Sequence, residues 1–167
     1  MLEENKPDKT EAFKRSLAIL YAMDWGKIPA KEKKDTLEKV FPILFTFGTK
    51  GREAESFIVE GMMLKIGALA LPAYVRLITS PLPVARALGV SALMEIDWAK
   101  MPYRAVKDSG IEDALSKMKN DPVESFREVS QAILKRIRMT FVTCKKEKEG
   151  IHEGHSYDGK EGWKKAA

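Results

Sequence analysis

Met23-Asp24-Trp25-Gly26-Lys27-Ile28-Pro29 returns 73 residues later as Ile96-Asp97-Trp98-Ala99-Lys100-Met101-Pro102, with Asp, Trp, Lys and Pro at matching places. Asp35 and Asp108 keep the same offset, and Glu55-Ser56-Phe57 recurs as Glu124-Ser125-Phe126 after 69 residues, so the copies differ slightly in length. A period of this size spans about four helices, and halving it gives roughly 35 to 40 residues per helix pair. The element has a local physical logic. An aspartate at a helix end can accept amides of the following turn, and the proline then starts the next helix. Trp25 and Trp98 are expected as core or corner residues between repeats, with an exposed partner anchor as the other role.

Around this element the periodicity is helical from about Lys9 to Met139, with no convincing alternating strand, and the fold class is all-α. A first helix is expected over Lys9 to Met23, with Phe13, Leu17, Leu20 and Met23 on one stripe. A second runs from Ala30 to Phe47 and is kinked or divided by Pro42; a third runs from after Gly51 to Ile66, with Phe57, Ile58, Met62 and Ile66 inward. Gly67 stops it. A short helix follows from Pro72 to Ile78, another from Val84 to Ile96, a broken one from Tyr103 to Met118 around Ser109-Gly110, and a last one from Val123 to Met139. Phe126, Val129, Ile133 and Ile137 form the inward stripe of that last helix. Residues 1–8 are expected as an N-terminal tail, 9–139 as the helical repeat domain, and 140–167 as a flexible basic, glycine-containing tail.

At 167 residues, 44% apolar and 32% charged, the chain suits one domain or one short repeat array able to fold without staples. Its one cysteine, Cys144, excludes an internal disulfide and a multi-cysteine metal centre, which fits a cytoplasmic location. The opening residues do not resemble a signal peptide, and the longest apolar run, Ile66 to Val75, is interrupted by Pro72, so no bilayer span is expected.

Leu71-Pro72-Ala73-Tyr74-Val75-Arg76-Leu77-Ile78 followed by Pro83-Val84-Ala85-Arg86-Ala87-Leu88-Gly89-Val90-Ser91-Ala92-Leu93 resembles a repeat unit of the HEAT family, including its lyase-type short repeats. Ile111-Glu112-Asp113-Ala114-Leu115 followed by Asp121-Pro122-Val123 and Arg127 resembles a second. The resemblance covers about Lys9 to Met139 and implies a short right-handed α-solenoid of about three to four HEAT-like helix pairs, in which an arginine early in the second helix braces successive turns. It is specific for architecture and weak for function, because such repeats serve scaffolds, accessory subunits and nucleic-acid enzymes alike.

No phosphate loop, nucleophile elbow, zinc-protease helix or dinucleotide fingerprint occurs. Some alkylpurine DNA glycosylases built from HEAT-like repeats use tryptophans and an aspartate on a basic concave surface. Asp24, Trp25, Asp97 and Trp98 supply those residue types, but the motif is absent and residues 51–100 hold five basic and five acidic residues. His152, Glu153 and His155 lie among glycines that do not preorganise a metal site. Neither an enzyme nor a bound cofactor or metal is expected.

The expectation is a protein-binding adaptor or accessory subunit of a larger complex. Arg86, Arg127, Gln131, Lys135 and Arg138 are expected to make polar contacts from the second helices, and Tyr157 and Trp163 to anchor the tail. The chain carries a net charge of +5, and its densest basic group is Lys135, Arg136, Arg138, Lys145, Lys146 and Lys148. These residues define the alternative, binding of nucleic acid at the end of the last helix, set against a plain solvated charge run.

Overall fold

A computed structural model describes residues 9–46 and 52–148, with side chains over 11–46 and 52–142. Among the described residues the chain is helical and contains no strand. The α-helices are α1 (Lys9–Ala22), α2 (Ala30–Val40), α3 (Glu53–Ile66), α4 (Leu71–Ile78), α5 (Pro83–Glu95), α6 (Tyr103–Asp108), α7 (Ile111–Lys117) and α8 (Glu124–Lys148).

Proline and glycine set most of the boundaries. Pro42 has no N–H for the carbonyl of Glu38, so α2 ends at Val40 and the chain continues as a 3₁₀ turn over Phe41–Thr46. Gly67 closes α3 at φ 74°, and Gly110 separates α6 from α7 at the same φ, a region that costs other residues strain. Pro83 opens α5 from its first turn. The last helix departs from expectation: α8 continues past Met139 to Lys148, so the segment from residue 140 begins as helix rather than as a flexible tail.

The helices pack in two rows. α1 packs on α3, α3 on α5, and α5 on α8; on the other side α4 packs on α7, and α2 meets the 3₁₀ turn Gly67–Ala70 that leads into α4. Within a pair, α4 lies against α5 and α7 against α8. α4 is central, burying Leu71, Ala73, Tyr74, Leu77 and Ile78. Gly89 lets α5 approach α4 closely, since a Cβ there would sit 2.8 Å from Leu77 Cβ.

The third helix corrects a stripe. Phe57, expected inward, is 57% exposed, while Val59 and Met63 are fully buried beside Met62 and Ile66. Because α3 is covered by α1, α5 and the Phe41–Thr46 turn, its buried arc is too wide for one stripe to define. The run Glu53–Ile78, 26 residues, is apolar and long enough to cross a membrane by length and composition, against the expectation that none is. Here it is α3 and α4, broken at Gly67 and contributing the core residues named above.

Candidate partner-binding face

The repeated sequence element folds the same way twice. Asp24 Oδ1 accepts the Gly26 amide at 3.1 Å and Asp97 Oδ1 accepts that of Ala99 at 3.2 Å, while Lys27 and Lys100 reach their aspartates at 3.1 and 3.0 Å. The Lys100 contact holds the Asp97 carboxyl below its ordinary value against an opposing desolvation, with the Lys100 charge, the Ala99 amide and the more distant Arg136 charge adding to the lowering. Trp25 and Trp98 turn inward and are 3% and 1% exposed. Trp25 Nε1 donates to the Leu20 carbonyl at 3.0 Å, whereas Trp98 Nε1 is buried with no hydrogen-bond partner. The Asp and Trp side chains therefore build corners and do not gather on one surface.

A second element also repeats. Arg86 Nη1 donates to the carbonyls of Ser80 and Pro81, both at 3.0 Å, and Arg127 Nη1 to those of Asp121 at 2.8 Å and Pro122 at 3.4 Å. Both arginines are the fourth residue of their helix, as the starts of α5 and α8 place them. Ser80 Oγ and Asp121 Oδ1 then accept the amides of Leu82 and Val123 at 3.2 and 2.9 Å. Arg86 differs in reaching the next turn: its Nε lies 2.7 Å from Asp121 Oδ2 as an ion contact, and Nη2 donates to Oδ1 at 3.3 Å. Arg86 is thus removed from the expected partner-contact set. It is 7% exposed and its guanidinium is committed to its own chain.

The remaining expected contact residues divide along α8. Gln131 Nε2 donates to the Leu115 carbonyl at 3.4 Å, and Arg138 lies 3.5 Å from Glu112, so both turn toward α7. Arg136 turns the other way and donates to the Met94 carbonyl of α5 at 2.9 Å. Lys135 is exposed between them. Arg127 is half-buried by its turn contacts. The positions of Lys145, Lys146 and Lys148 belong to α8, but their side chains lie outside the described ones; Tyr157, Trp163, His152 and His155 lie outside the described residues altogether. Among the described residues no group of three or more His, Cys, Asp or Glu side chains is placed to hold a metal ion.

The site that sequence reasoning missed lies between α3 and α5. A groove of about 430 Å³ is lined by Phe57, Glu60, Gly61 and Leu64 of α3 and by Ala87, Leu88 and Ser91 of α5. Tyr21 of α1 lies at one side, its ring over Gly61 and under the Lys65 ammonium, which is 3.8 Å from the ring centroid. Val84 and Met94, on the same side of α5 by helical spacing, are 45% and 50% exposed. Glu60 is half-buried, and that burial, followed by the charge of Glu95, pushes its carboxyl up from the ordinary value. The buried Tyr74 hydroxyl, which has no hydrogen-bond partner, is raised in turn by desolvation and then by Glu60. A signal existed in the spacing of Phe57, Gly61 and Leu64, but inward packing of Phe57 was the competing assignment. No protein-family model matches the chain, and no curated protein is a significant match to it.

Proposed function

We propose that this chain is a short α-solenoid of HEAT-like helix pairs that acts as a non-enzymatic adaptor or accessory subunit, holding a protein partner on the face formed by α3, α5 and α8. The solenoid reading is supported by the row-to-row packing of successive helix pairs and by the repeated arginine bracket at Arg86 and Arg127. The binding reading rests on one observation above the others: the groove between α3 and α5, with Phe57, Val84 and Met94 left exposed along its helices. Apolar side chains grouped in a groove, with polar groups at its margins, suit a protein contact better than bulk solvent.

The test is affinity capture of the tagged full chain from its host extract, with nuclease, comparing wild type with Ala87→Glu and Ser91→Glu in the groove. A stoichiometric protein lost from the groove variants supports this function. Absence of any nuclease-resistant partner overturns it.

A second reading, nucleic-acid binding, is favoured by the length of α8. Its continuation to Lys148 brings positions 135, 138, 145 and 146 to one side of the helix by spacing. It predicts affinity for duplex DNA or RNA that falls steeply with salt, as neutralised phosphates release counterions.

A further inference from the structure

Glu60 lines the α3–α5 groove, and Glu95 follows Ser91 by about one turn, on the same side of α5 by helical spacing. The protein is basic overall, yet these two carboxylates stand close enough for Glu95 to raise Glu60. Among the described residues neither of them belongs to an ion pair. The cation on their side, Lys65, is held by Tyr21, donating to its carbonyl at 2.7 Å. Arg136, which reaches α5 from α8, donates to the Met94 carbonyl. Two like charges flanking an apolar groove are unfavourable in the free protein and become favourable when a cation enters between them.

The floor of the groove fits a helix. Ala87 and Ser91 carry small side chains, so an approaching backbone can come close to α5, while Leu64 and Leu88 supply apolar contact and the Tyr21 ring over Gly61 closes one side. On the reading that this face binds a protein, we propose that the groove between α3 and α5 seats an amphipathic helix of the partner that carries lysine or arginine beside aliphatic residues. The aliphatic side lies against Leu64, Ala87 and Leu88, and the cations lie at Glu60 and Glu95. The carboxylates thereby select a basic helix over an acidic one of equal apolarity, which is discrimination by charge rather than by area.

The probe is a fluorescein-labelled peptide of about 20 residues, long enough to form helix, with leucine and lysine at helical spacing. A matched peptide carries glutamate in place of lysine. Anisotropy titrations use the full chain, its Glu60→Gln/Glu95→Gln variant, and a Glu32→Gln/Asp113→Asn variant that changes net charge equally away from the groove. The expected result is saturable binding of the lysine peptide alone, weakened about tenfold by the groove variant and unchanged by the control variant. Backbone amide shifts should move at Gly61, Ala87 and Ser91. Equal loss in both variants, or a footprint confined to the exposed side of α8, overturns the basic-helix assignment while leaving capture of a partner intact. Two other occupants also overturn it: the chain's own C-terminal residues, if a chain ending at Lys148 binds the peptide far more tightly, and a second copy, if the full chain dimerises and the groove variant does not. Loss of the captured partner in the extract experiment is a separate result and overturns the broader reading instead.

Discussion

Arg86 of α5 and Asp121 before α8 form a buried ion contact of 2.7 Å that ties one helix-pair turn to the next. The same guanidinium closes its own turn through the Ser80 and Pro81 carbonyls, so one side chain holds three backbone segments in register. Removing one partner leaves the other charged and desolvated, which costs about 3–5 kcal/mol. Asp121→Ala also uncaps Val123. Either Arg86→Ala or Asp121→Ala should therefore lower the melting temperature severely, while the double variant Arg86→Ala/Asp121→Ala should lose less than the sum of the two. Additive losses in a double-mutant cycle would refute the coupling.

The two tryptophans look equivalent in the sequence and differ in the fold. Trp25 Nε1 is satisfied by Leu20, and Trp98 Nε1 is not satisfied at all. Trp25→Phe breaks a hydrogen bond and Trp98→Phe removes a buried, unpaired N–H, so Trp25→Phe should be the more destabilising by about 1 kcal/mol. Chemical denaturation of the two variants checks this, and a larger loss for Trp98→Phe would contradict it.

Glycines 61 and 89 make a comparable pair. An added Cβ at Gly89 meets Leu77 Cβ and Ile78 Cγ2, both at 2.8 Å, and the Ile78 amide nitrogen at 3.2 Å, where two core helices cannot separate cheaply. Gly89→Ala should cost about 1–3 kcal/mol. At Gly61 the nearest atom is Tyr21 Cε2 at 2.6 Å, on a 42% exposed ring that can swing outward. Helix propensity then favours alanine by up to about 1 kcal/mol, and Gly61→Ala should be near neutral or stabilising. Thermal melts of both variants give the comparison.

Legibility followed the range of the interactions. The Asp-Trp-x-Lys-x-Pro corners were readable because their bonds lie within two or three residues, and Pro42 broke α2 where its missing N–H requires. Helical spacing also found Ile133 and Ile137, which bury, with Phe126 and Val129 half-buried beside them. What escaped depends on neighbours distant in sequence. A periodic stripe points Phe57 inward but does not say how many sides of the helix are covered, and Phe57 lies exposed. The repeat resemblance implies a brace at Arg86, but its partner Asp121 lies 35 residues away and leaves no local mark, so the sequence also admits Arg86 as a partner contact. The spacing of Phe57, Gly61 and Leu64 signals only one wall of the α3–α5 groove, since the other comes from Ala87, Leu88 and Ser91 on a second helix.

The acid response of the groove has a definite sign. The Glu60 carboxyl is pushed above its ordinary value, through burial first and the Glu95 charge second. A carboxyl raised in the folded state holds its proton better there than in the unfolded chain, so folding is favoured below the unfolded pKa and that advantage is lost as pH rises through the folded one. Glu60→Gln should accordingly stabilise the protein at neutral pH, by less than about 1 kcal/mol because the group is only half-buried and screened. Below the carboxylate range the variant and the wild type should converge. A cation seated at Glu60 reverses the preference by favouring the ionised form. Affinity for the lysine peptide should then rise with pH across the same window, Glu95 on α5 and the Tyr74 hydroxyl on α4 being the other titratable groups in electrostatic contact with Glu60. Melting curves and peptide titrations on wild type and Glu60→Gln read both signs. A variant that is less stable than wild type at neutral pH, or a peptide affinity that falls as pH rises, would show that Glu60 is already paired in the free protein.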